Sequence, residues 1–78
     1  MKITIYTENN LNKYNALWQY LKFNDKDEYR LTFNEIRNVL GFDIDHSFLT
    51  YKKQAEEYGY EVTKIFLKEN TIVFKKLL

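Results

Sequence analysis

The sequence predicts a small α+β domain, and three observations predict it. At 78 residues the chain suits one core and leaves no room for a second. Hydrophobic residues make up 45% and aromatics 18%, with seven Tyr, six Phe and Trp18, which supplies a core without staples. The apolar pattern passes from period two to helical spacing and back to period two.

Met1-Lys2-Ile3-Thr4-Ile5-Tyr6 alternates, with Met1, Ile3 and Ile5 on one face, and predicts a half-buried strand over 1–7. Thr7-Glu8-Asn9-Asn10 breaks it. Leu11, Tyr14, Leu17, Trp18 and Leu21 then recur at helical spacing, so a first helix is expected to end near Phe23, with Asn12 or Asn15 as its N-cap. Asn24-Asp25-Lys26-Asp27-Glu28 reads as a solvated loop and Tyr29-Arg30-Leu31 as a short extended piece.

Thr32-Phe33-Asn34-Glu35 matches a capping box, in which the Thr32 hydroxyl and the Glu35 carboxylate each accept from the other residue's backbone N–H. It opens a second helix with Phe33, Ile36, Val39 and Leu40 as its stripe, and Gly41 closes it in a left-handed conformation. Asp43 or Asp45 can cap a third helix whose inward set is Ile44, Phe48, Tyr51, Ala55 and Tyr58, stopped by Gly59. The aromatic stripe of Tyr14, Trp18, Phe33, Phe48 and Tyr51 is expected in the core rather than around a ligand.

Residues 60–67 and 71–76 read as a hairpin around Lys68-Glu69-Asn70, with Asn where a positive φ is tolerated. For Ile65 and Leu67 to face the core together with Val62 the parity must change, which predicts a bulge near Thr63-Lys64. Ile72 and Phe74 complete the buried face, and Phe66 and Val73 point away from it.

The expected layout is thus one domain over 1–78: a strand over 1–7, a helical part over 14–41 and 43–58, and a hairpin over 60–76. Helix, short strand, helix, Gly turn, helix, hairpin is the order of a winged helix-turn-helix, here three helices plus a C-terminal β-hairpin with an added N-terminal strand. A plain α+β domain with its helices on one face of a small antiparallel sheet would use the same elements.

Tyr14-Asn15-Ala16-Leu17-Trp18-Gln19-Tyr20-Leu21, Leu31-Thr32-Phe33-Asn34-Glu35-Ile36 with Val39-Leu40-Gly41, Gly59-Tyr60-Glu61-Val62 and Thr71-Ile72-Val73-Phe74-Lys75-Lys76 also resemble a family of small prokaryotic domains of unassigned function. The resemblance spans about residues 14–76 and implies the winged-helix-like fold. Its motifs are caps, core positions and strand alternation, so it implies no activity. This chain lacks the prolines those domains carry around Ile44-Asp45 and their Trp-rich stretch before Gly59.

Charge bears on function. Twelve Lys+Arg stand against eleven Asp+Glu, a net +1, without a basic tail. The one local excess is Val62 to Leu78, where Lys64, Lys68, Lys75 and Lys76 face only Glu69. With no Cys there is no disulfide, thiolate metal site or Cys nucleophile. No apolar run approaches the roughly 18 residues of a membrane span, and the opening is too short and too alternating for a signal peptide. A cytoplasmic protein without membrane association is the expectation.

An enzyme is not expected. His46 is the only histidine, and on a helix it would point about 100° away from its neighbour Ser47. Asp43-x-Asp45 is accounted for by capping rather than a metal, no phosphate loop or zinc motif occurs, and no cofactor is expected. As a recognition helix, the third helix would present His46, Ser47, Thr50, Lys53 and Gln54 to DNA, and the hairpin would bring Lys64, Lys68 and Lys75 to phosphates. Glu56 and Glu57 oppose that field. The alternative is a protein-binding module using Phe66 and Val73 as an exposed cross-strand pair, with homodimerisation possible. One form of it is a phage or mobile-element protein that blocks a host nucleic-acid enzyme.

Overall fold

The computed structural model describes residues 13–77. The expected strand over 1–7 and the candidate cap Asn12 lie outside the described residues. Helix α1 runs Asn15–Asn24, β1 Glu28–Thr32 and α2 Phe33–Leu40; α3 is Ser47–Tyr51 and leads into a 3₁₀ helix, Lys52–Tyr58. Strands β2, Tyr60–Phe66, and β3, Thr71–Lys76, complete the order. The three strands form one antiparallel sheet in the order β1-β3-β2. The described part is therefore α+β, with the short extended piece at Tyr29-Arg30-Leu31 widened to a full strand along β3.

Helix α1 buries Leu17, Trp18 and Leu21. Asn15 is not its cap: the helix starts behind Tyr14 without a side-chain cap, and the Asn15 Oδ1 instead accepts from the Tyr58 hydroxyl at 2.8 Å. Asp25 ends the helix at φ 55°, its N–H donating to the Leu21 carbonyl. In β1, alternation sends Tyr29 and Leu31 inward, and the Tyr29 hydroxyl donates to the Leu21 carbonyl at 2.7 Å, tying strand to helix.

The capping box forms as the sequence predicts. Glu35 N–H donates to Thr32 Oγ1 at 3.0 Å and Thr32 N–H to Glu35 Oε1 at 2.8 Å. Gly41 follows at φ 88°, a conformation that would strain any side chain with a Cβ. Thr32→Ala should remove the bond accepted by the Thr32 hydroxyl, leave the backbone N–H of residue 32 to donate to Glu35, and lower stability by about 1 kcal/mol, read as an earlier urea midpoint with an unchanged slope.

The third helix is not the single α-helix expected over 43–58. It is α-helical for five residues and then tightens to 3₁₀ for seven, long for that geometry. Tertiary anchors hold it. Gln54 Oε1 accepts from Trp18 Nε1 at 3.2 Å, Ala55 is wholly buried, and Tyr58 reaches Asn15. At about 2.0 Å rise per residue the tighter winding also carries the chain further toward β2 than α-helix would.

The hairpin shows the predicted bulge. Val62 pairs with Phe74 and Lys64 with Val73, so Thr63 is the extra residue, and Ile65 regains the core-facing parity opposite Ile72. Asn70 takes φ 51° in the turn, and its carbonyl accepts from Phe33 N–H at 2.7 Å, joining the hairpin tip to the start of α2. Leu67 departs from the expectation: it lies in the turn, beyond the last strand residue, and is 73% exposed. Outside the ladder, strand parity no longer sets its direction.

The core joins Leu17, Trp18 and Leu21 of α1, Tyr29 and Leu31 of β1, Ile36 of α2, Phe48 of α3, and Ile72 and Phe74 of β3. Tyr14 meets Phe48 edge to face at 5.3 Å, and Trp18 lies 6.0 Å from the same ring. Phe33 and Tyr51 pack partly buried against this cluster, so the whole aromatic stripe belongs to the core or its margin.

Candidate binding surface

Helix α3 is pinned at its start by a polar clasp. Asp45 Oδ1 accepts from Ser47 N–H at 2.8 Å and from the Ser47 hydroxyl at 2.6 Å, and Lys13 Nζ stands 3.2 Å from both Asp45 Oδ2 and Ser47 Oγ. The Tyr14 hydroxyl shares a 2.6 Å hydrogen bond with Ser47. Neither candidate is the N-cap residue, which is His46 and carries no side-chain cap; Asp45 takes the Ser47 N–H from one position earlier, while Asp43 faces Arg37 at 3.6 Å. The clasp fastens the segment before α1 to the segment before α3.

It is a poor nucleophile site. The Ser47 hydroxyl and N–H, with Lys13 beside them, hold the Asp45 carboxyl well below the ordinary carboxylate range, and a weakly basic carboxylate draws no proton from a hydroxyl at neutral pH. A group depressed on folding stabilises above its unfolded value, near pH 4, and that contribution fades as pH falls through the folded value. Asp45→Asn should therefore flatten the acid limb of a thermal stability profile, with the largest gap from wild type at neutral pH and convergence in strong acid.

The outward face of α3 differs from the expected one. His46, Thr50 and Lys53 are exposed. Ser47 is held in the clasp, and Gln54 turns toward α1 to meet Trp18. The tightened winding after Tyr51 rotates Gln54 away from the position an unbroken α-helix would give it. In their place Leu49 is 56% exposed, an apolar residue off the inward stripe that the sequence already contains.

The C-terminal cations also disperse. Lys76 Nζ lies 2.6 Å from Asp25 and 3.9 Å from Asp27, and Asp25 raises its pKa. Lys75 sits in register between Glu28 on β1 and Glu61 on β2. Opposite charges across a ladder offset each other, so the +3 excess counted along the chain shrinks to Lys64 and Lys68 on the folded surface. One rung further toward the tip, Lys64 and Arg30 flank Val73, away from the core.

Phe66 and Val73 do not form the exposed cross-strand pair expected of them. Phe66 opposes Thr71, whereas Val73 opposes Lys64, and Val73 is only 5% exposed. The turn over residues 67–70 sets this offset, because it puts Phe66 opposite Thr71; the bulge at Thr63 changes register only beyond Lys64. Arg30 stacks over the Phe66 ring at 5.4 Å, so the half-buried phenylalanine is covered by a cation.

An apolar groove of about 270 Å³ lies between the start of α3 and the hairpin. Phe33, Ile44, Phe48, Ile65 and Ile72 line its floor and walls, and the exposed Leu49 and Leu67 stand on it. Asp45 and His46 also border the groove.

No family model, curated protein or solved structure matches the chain. Among the described residues, no three His, Cys, Asp or Glu side chains gather in a way that could hold a metal ion. No helix among them is long and apolar enough to cross a membrane.

Proposed function

We propose that the chain is a non-enzymatic, winged-helix-like DNA-binding domain. One observation carries the reading: the order helix, strand, helix, helix, strand, strand with the sheet order β1-β3-β2, in which α3 and the β2–β3 hairpin border the same groove. That is the relation of a recognition helix to its wing. The helix would enter the major groove by its N-terminal half, with His46 and Thr50 toward base edges and Lys53, Lys64 and Lys68 toward phosphates. Glu56 and Glu57, both exposed, would keep the far end away from the duplex. Ser47, Gln54 and Lys75 drop out of the reading set because each has a partner within the fold or in strand register.

Few cations mean a shallow salt dependence. Three phosphate contacts give a slope of about −2.7 in log K against log salt. A labelled duplex of mixed sequence titrated with the protein at rising salt tests this. Binding at low salt with a slope near that value supports the reading; absence of any binding at the lowest salt removes it. A protein partner is the second reading, favoured by the exposed Leu49 and Leu67 and the net charge of +1.

A further inference from the structure

We propose that β1 is a pairing edge along which two copies of this chain join antiparallel, with Glu28 of each opposite Arg30 of the other, so that their sheets become one. The first ground is the phase of the hydrogen-bond ladder. Phe33 N–H donates to the Asn70 carbonyl at 2.7 Å and Lys76 N–H to the Asp27 carbonyl at 2.8 Å, so in the β1–β3 register the odd-numbered residues exchange bonds with β3. Main-chain groups of Glu28, Arg30 and Thr32 therefore point the other way. Among the described residues β1 is an end strand of the sheet, and on that side only the Thr32 N–H is used, donating to Glu35 Oε1 at 2.8 Å. Glu28 and Arg30 are left with donors and acceptors aimed outward.

The second ground is the contrast between the two end strands. On β2 the bulge at Thr63 breaks the register, and exposed Lys64 follows it, the devices that blunt an edge against pairing. Strand β1 has neither. It runs in unbroken register through all five of its residues, with side chains alternating exposed and buried, and holds no proline.

The third ground is charge, which selects both the occupant and the register. Across the outer face, Glu61, Lys75 and Glu28 form one row, which ends on an acid at the β1 edge; the next row, Lys64, Val73 and Arg30, ends there on a base. A two-fold axis through Tyr29 brings Glu28 against Arg30 twice, and the alternation of sign in the first row continues into the second copy. Moving the axis to Arg30 would set arginine against arginine and ask for a Thr32 N–H that is already bonded. Arg30 leans over Phe66 at 5.4 Å, yet it is exposed, and swinging it to Glu28 of a second copy disturbs no core residue. The proposal goes beyond the DNA reading and does not rest on it.

The test uses the full chain without nucleic acid. One short strand per copy makes a small, transient interface, so sedimentation equilibrium should show a monomer–dimer exchange with Kd of about 0.1–1 mM. A chain that stays monomeric up to about 2 mM overturns the proposal. Amide resonances of Glu28, Tyr29 and Arg30 should move with concentration while those of Thr63 and Lys64 stay; movement at the β2 edge instead overturns it. Glu28→Arg alone places arginine opposite arginine and Arg30→Glu alone places glutamate opposite glutamate, so each should weaken association about tenfold or more. Mixed in equal amounts the two variants complement each other at both pairs, and association should return to at least the wild-type level. Both side chains are exposed, so an unchanged far-ultraviolet circular dichroism spectrum is expected of each variant. Wild-type association in Glu28→Arg, or no recovery in the mixture of folded variants, overturns the register. A chain that passes these measurements but binds no duplex keeps the edge pairing and loses only the DNA reading.

Discussion

Trp18→Ala is expected to lower folding stability by about 3–5 kcal/mol, a large part of the 5–15 kcal/mol typical of a small domain. Trp18 is fully buried at the point where α1, α3 and the 3₁₀ helix meet. Its ring borders Tyr14 and Phe48, and its Nε1 holds Gln54 in place. Truncation would open a cavity and withdraw the donor that fixes the 3₁₀ segment. Trp18→Phe keeps most of the volume and loses the hydrogen bond, so a loss nearer 1 kcal/mol is expected. Urea melts of the two variants check the ordering. Similar losses would mean that the hydrogen bond, not the volume, dominates. A far smaller loss for alanine would mean that the site collapses onto the gap.

Lys53→Ala, Lys64→Ala and Lys68→Ala combined should abolish the salt dependence of duplex binding. Wild type is expected to lose affinity roughly fortyfold between 50 and 200 mM salt, the consequence of about three phosphate contacts. The triple variant should show a slope near zero and little residual binding, and its stability should stay within about 0.5 kcal/mol of wild type because all three side chains are exposed. Lys75→Ala is the contrasting control. With Glu28 and Glu61 in register on either side, it should change the slope by much less than one unit. An unchanged slope in the triple variant would move the phosphate contacts elsewhere on the fold and dissolve the helix-and-wing account.

Elements whose cause lies within a few residues were legible in the sequence. The Thr32–Glu35 box needs only a three-residue spacing, Gly41 and Gly59 take the left-handed conformations their lack of a Cβ permits, and Asn70 does so in the turn. The bulge at Thr63 followed from parity, since Val62 and Ile65 cannot share a face without it. The inward set Ile44, Phe48, Tyr51, Ala55 and Tyr58 was also readable, even though Ile44 lies ahead of the helix and the other four are divided between α3 and the 3₁₀ segment.

What tertiary structure alone decided concerns the surface. Gln54 faces Trp18 across 36 positions of chain, Ser47 meets Tyr14 across 33, and Lys76 reaches Asp25 across 51. Lys75 lies between acids contributed by two other strands, and Leu67 stands outside because the ladder ends one residue before it. Helix caps and strand parity are local, so a single segment determines them. Whether a polar or charged side chain is available to a ligand depends on which distant residue lies opposite it, and that is set only once helices and strands are brought together.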